Sequence, residues 1–95
     1  MSRSRYKRAV CKDGFSVSIQ AHDGAYCEPR RDSHIGGYKS VELGYPSAPD
    51  PFILPYAEDP ADLTETVYGY VPAAVVRKMI EAHGGIVDGE CPPLA

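Results

Sequence analysis

Tryptophan is absent from this chain of 95 residues, and phenylalanine occurs only twice. Cysteine occurs three times, at Cys11, Cys27 and Cys91. An odd set without C-x-x-C spacing does not build a disulfide framework, so reduced thiols in a cytoplasm are expected. No apolar run approaches the ~20 residues of a membrane helix, and Phe52 to Leu54 is closed by prolines on both sides. The basic start is followed only by Ala9, Val10 and Cys11 before Lys12. That is short of the apolar stretch of about 7–15 residues that a secretion signal needs, so none is expected. The chain also lacks G-x-S-x-G, H-E-x-x-H and Walker-type runs, so the expectation is a protein that is not an enzyme.

What is present fits one small domain. A chain of this length buries only about two thirds of its unfolded surface, which leaves its stability modest unless a partner, a metal or a second copy of the chain contributes. The net charge of −3 hides a division. Five of the ten basic residues, Arg3, Arg5, Lys7, Arg8 and Lys12, precede the first acidic residue, leaving five against all thirteen carboxylates in a body of −8. A basic arm over residues 1–7 would suit an acidic partner or simply keep the terminus solvated, while the negative body disfavours a nucleic-acid duplex.

Period-two alternation predicts strands. Phe15, Val17, Ile19 and Ala21 alternate with Ser16, Ser18 and Gln20, after Lys12-Asp13-Gly14, which reads as a type I′ hairpin turn with Ala9 to Cys11 as the partner strand. Ala25 to Glu28 reads as a short strand stopped by Pro29, and Tyr38 to Tyr45 as a further strand. Five prolines between Pro46 and Pro60 deny the backbone donors of helix or sheet, so this segment is expected as an extended strap, pinned to the core by Phe52, Ile53 and Leu54. Thr64 to Val71 reads as a strand with Val67 and Val71 inward and Tyr68 and Tyr70 on the other side. Pro72 then opens a helix in which Val75, Val76, Met79 and Ile80 form one apolar stripe, closed by His83 and Gly84-Gly85. Ile86 and Val87 could add a last short strand. The expected fold is α+β: an antiparallel sheet of four or five short strands with one helix, in the C-terminal half, on one face. Its expected limits are residues 8–89, with 90–95 a loose tail.

Three constellations could carry function. Tyr68 and Tyr70, beside the acidic residues Glu58, Asp59, Asp62 and Glu65, form a candidate protein-binding surface, because tyrosine offers large, rigid contact area with a polar tip. Tyr26, Arg30, Arg31, His34, Tyr38 and Lys39 form a candidate anion site. Guanidinium groups pair with phosphate, Gly36-Gly37 can turn N–H groups towards an anion, and a tyrosine can stack on a base, which suits a nucleotide or cyclic-nucleotide ligand. Cys11, His22, Cys27 and His34 are zinc-ligand types, but their spacing matches no paired-ligand finger, and no metal or other cofactor is expected.

Arg8 to Gly85 resembles a family of small accessory proteins encoded by tailed bacteriophages and prophages. The runs that carry the resemblance are Lys12 to Gln20, Tyr26-Cys27 with Pro29-Arg30, Val41-Glu42 with Gly44 to Ser47, Tyr56 to Asp59, and Thr64 to Pro72 with Val75-Val76 and His83 to Gly85. No site residue carries over. The resemblance implies expression in the host bacterial cytoplasm and, by analogy with small acidic phage proteins, inhibition of a host or defence factor, anti-CRISPR activity included.

Overall fold

The structure, a computed structural model, describes residues 6–31 and 36–95. Its strands are β1 (Ala9–Cys11), β2 (Ser16–Gln20), β3 (Ser40–Gly44), β4 (Val67–Pro72) and β5 (Ile86–Asp88), with one helix, α1 (Ala73–Ala82). The strands form one antiparallel sheet in the order β4-β3-β2-β1-β5. The chain is therefore a small α+β fold with its helix in the C-terminal half. The first and last strands of the sequence lie side by side.

β1 and β2 form the expected hairpin, with Ala9 opposite Val17, but the turn differs. The Gly14 N–H bonds back to the Cys11 carbonyl and the Cys11 N–H to that of Phe15, and only Gly14 has positive φ, at 96°. This is a three-residue loop with a glycine bulge rather than a two-residue type I′ turn, because Asp13 stays in the ordinary φ range and anchors the Phe15 N–H through Oδ1 at 2.9 Å. Ala25 to Glu28 does not become a strand, apart from one bridge between Glu28 and Ser40. Its backbone groups bond elsewhere: the Tyr26 N–H donates to Glu42 Oε1, the Cys27 N–H to the Ala25 carbonyl, and the Tyr26 carbonyl accepts from the Tyr70 N–H.

β4 departs most from simple alternation. Val71 pairs with Val41 and Tyr68 with Leu43, so two residues, Gly69 and Tyr70, face the single residue Glu42. This β-bulge puts Tyr68 and Val71 on the same, inner side. Tyr68 is fully buried, with its hydroxyl donating to the Leu63 carbonyl, whereas Val67 turns to the outer side beside Gly44 and Ser18. The core then comprises Phe15, Val17, Ile19, Val41, Leu43, Tyr68 and Val71, with Val76 and Met79 of α1 against them. Burying each such aliphatic side chain stabilises the fold by about 1.5–3 kcal/mol.

Helix α1 keeps the expected stripe. Ala73, Val76 and Met79 are buried, Val75 and Ile80 partly so, and Arg77, Lys78 and Glu81 face solvent. Pro72 is its N-cap. The helix ends in a Schellman motif, the Gly85 N–H reaching the Ile80 carbonyl and the Gly84 N–H that of Glu81. Of the three apolar residues expected to pin the strap, Ile53 is buried, whereas Phe52 and Leu54 are exposed, and Leu54–Tyr56 forms a single 3-10 turn. Buried Pro46 and Asp50 hold the same segment beside Ile53. Residues 92–95 are not loose. Tyr38 donates its N–H to the Pro93 carbonyl at 2.8 Å and accepts from the Ala95 N–H at 2.9 Å, Arg77 bonds the Leu94 carbonyl, and Pro92 is fully buried.

Candidate functional site

The bulge in β4 creates an exposed aromatic cluster that alternation alone did not indicate. Tyr70 sits at φ 53°, uncommon for a residue with a side chain, and its N–H is held by the Tyr26 carbonyl at 3.0 Å. Gly69 admits Tyr26 closely, its missing Cβ lying 3.4 Å from that residue's Cβ. The Tyr26 and Tyr70 rings consequently stack, with centroids 5.9 Å apart and planes 30° apart, and the Arg30 guanidinium lies 5.7 Å from the Tyr26 ring centre. Tyr26 is 39% exposed and Tyr70 48%. The expected pairing of Tyr68 with Tyr70 is thereby corrected: the bulge sends Tyr68 inward, and Tyr26 takes its place beside Tyr70. Glu58, Asp59, Asp62 and Glu65 are exposed on the turn that leads into β4, where the Glu58 N–H bonds the Val67 carbonyl.

The candidate anion site is divided. Tyr38 is fully buried, and its hydroxyl donates to the Arg31 carbonyl at 2.7 Å, so its ring has no face for a ligand. Arg30, Arg31 and Lys39 are exposed. His34 lies outside the described residues. Of the zinc-type residues, His22 and Cys27 are engaged, Nδ1 of His22 accepting from the Gly24 N–H at 3.0 Å and the Cys27 thiol donating to the His22 carbonyl at 3.3 Å, and Cys11 is buried. Among the described residues no group of three or more His, Cys, Asp or Glu side chains could hold a metal ion, and no helix is long and apolar enough to cross a membrane. On the outer sheet face, Ser18, Gln20, Glu42, Tyr45 and Val67 border a groove of about 240 Å³.

A second cluster joins three distant parts of the sequence. His83, the C-cap of α1, places Nδ1 2.6 Å from Asp13 Oδ2 and Nε2 2.6 Å from Asp50 Oδ2. Both carboxylates are oriented in the same way. Asp13 Oδ1 accepts from the Phe15 N–H and Asp50 Oδ1 from the Phe52 N–H at 2.8 Å, Asx turns that leave each Oδ2 aimed at the imidazole. Phe15 stacks on the imidazole at 4.0 Å with 7° between planes. Asp50 is 3% exposed. Burial pulls the His83 pKa down, but the hydrogen bonds to Asp13 and Asp50 outweigh it and raise the pKa above its ordinary value. The Phe15 N–H, and then His83, hold the Asp13 carboxyl below the usual carboxylate range. With a carboxylate on each ring nitrogen, His83 has no nitrogen left to exchange a proton with a substrate. The sequence signal was the repeated Asp-x-Phe in Asp13-Gly14-Phe15 and Asp50-Pro51-Phe52, but nothing local linked either to His83.

No family model, curated protein or solved structure matches the chain.

Proposed function

We propose that the protein is a small non-enzymatic binding protein that inhibits a bacterial host or defence factor, contacting it through Tyr26, Arg30 and Tyr70. The observation that carries this reading is the exposed Tyr26–Tyr70 stack at the β4 bulge, with Arg30 against it. Tyrosine and arginine are the residue types over-represented where binding energy concentrates in protein interfaces. A non-glycine residue held at positive φ costs of order 1 kcal/mol or more, a cost the core does not require, since Tyr68 and Val71 fill the inner face on either side. The acidic turn from Glu58 to Glu65 stands at the other end of the same strand and would steer a basic partner towards it. The resemblance to phage accessory proteins supports a partner on the bacterial side.

The test is to isolate the complex from phage-infected bacteria and measure the affinity of the purified partner for wild type and for Tyr70→Gly. Glycine adopts the φ of position 70 without strain, so the thermal midpoint is expected to hold or rise. Loss of the ring should cost at least about 2 kcal/mol of binding, roughly thirtyfold in Kd. Equal affinities for the two proteins, or no partner protein held by wild type, would count against this surface.

A further inference from the structure

We propose that Asp13, His83 and Asp50 form a protonation latch: the imidazolium ties the strap over residues 46–56 to the end of α1 and to the β1–β2 turn, and its deprotonation releases the strap. The geometry demands the cation. Both ring nitrogens lie 2.6 Å from carboxylate oxygens, and an imidazole donates from both nitrogens only when protonated. In the neutral ring, one nitrogen lone pair would face a carboxylate oxygen at that distance. Asp50 is the member that cannot turn to water, because it is buried and its other oxygen is held by the Phe52 N–H. Loss of the proton therefore pushes on the strap from inside.

Among the described groups that face the latch, His83 is the one that changes charge near neutrality. Asp13 comes from the β1–β2 turn and Asp50 from the strap. Cys11 of β1 is pushed up by burial and then by Asp13 and Asp50, and Tyr68 of β4 by burial and then by Asp50, so both stay neutral across this range. Lys12 lies along Gly84 and donates its N–H to the Gly85 carbonyl. On α1 itself, Lys78 and Glu81 occupy the exposed face, and the carbonyl end of the helix favours the cation. Because the folded-state pKa of His83 is raised, the latch contributes fully below the unfolded value of about 6.5 and is lost as pH rises through the folded value.

The test combines NMR titration of the His83 ring with amide hydrogen exchange in the strap, corrected for the intrinsic pH dependence of exchange. In wild type, the opening constant read at the Phe52 and Tyr56 amides should be flat between about pH 5, where the carboxylates remain ionised, and ~6.5, rise by up to tenfold per pH unit above it, and level off beyond the His83 midpoint. In Asp50→Asn the side-chain oxygen can stay on the Phe52 N–H, and the new NH₂ group can donate to a neutral imidazole, so the rise should vanish and His83 should titrate lower than in wild type. Asp13→Asn, at a half-exposed position, is expected to weaken the rise in the same direction and serves if the buried change prevents folding. A flat wild-type profile, a wild-type His83 midpoint at or below ~6.5, or an unchanged profile in the asparagine variants would each overturn the latch.

Discussion

Five of the seven tyrosines fall at the extremes of burial, with Tyr6 and Tyr56 between them. Tyr38 and Tyr68 are fully buried, each donating to a backbone carbonyl, of Arg31 and Leu63 respectively, while Tyr26, Tyr45 and Tyr70 stand in solvent. The same residue type therefore fills the core of a chain without tryptophan and also builds its exposed aromatic cluster. Tyr68→Phe keeps the ring in place and strands the Leu63 carbonyl, so it should destabilise by about 1 kcal/mol, a drop of roughly 4–8 °C in thermal midpoint. Tyr68→Ala also empties the core and should cost about 3–5 kcal/mol. Thermal denaturation of the two variants beside Tyr70→Gly checks this division: a Tyr68 variant as stable as wild type would contradict the inward placement. Composition showed that tyrosine mattered, but not which tyrosines were inside, because burial here depends on a strand irregularity rather than on residue type.

At the level of elements, β2, β3 and the helix were legible from local periodicity and β1 from the turn that follows it, whereas Ala25 to Glu28 has a strand-like composition but spends its backbone groups on Glu42, Ala25 and Tyr70. Phe15 to Ala21 has period two, and Val75, Val76, Met79 and Ile80 make a helical stripe ended by two glycines. The bulge was not legible. Val67, Gly69 and Val71 read as a regular inner face, and what breaks the alternation is non-local: Tyr26, more than forty residues earlier in the chain, packs on Gly69 and takes the Tyr70 N–H. The Asp13–His83–Asp50 cluster was missed for the same reason. Deleting Gly69 tests what the bulge is for. With one residue opposite Glu42 instead of two, Tyr68 and Val71 still face inward in a regular strand, so the fold should persist with a thermal midpoint within several degrees of wild type. The Tyr26–Tyr70 ring contact should disappear, which inter-ring nuclear Overhauser effects would report. Retention of those effects would show that the bulge does not set the cluster.

For the whole molecule, the organising fact is that the late segments complete the early ones. β5 covers the edge of β1, and residues 92–95 supply both backbone partners of buried Tyr38. Removing 92–95 should uncover Tyr38 and leave its N–H and carbonyl to water. The expected loss is on the order of 2–4 kcal/mol, which lowers the thermal midpoint by more than about 10 °C; a truncated protein that melts with the full chain would contradict the pinned tail. The same arrangement has a consequence for synthesis. β1 leaves the ribosome some 75 residues before β5, one of its two neighbours in the sheet. Pairings of such long sequence separation form slowly because the chain between them must be closed first. Until the segment from residue 86 onwards has emerged, the β1 edge stands open to other nascent or unfolded chains, so the protein's yield in a cell should depend on how quickly β5 follows β1 out of the ribosome.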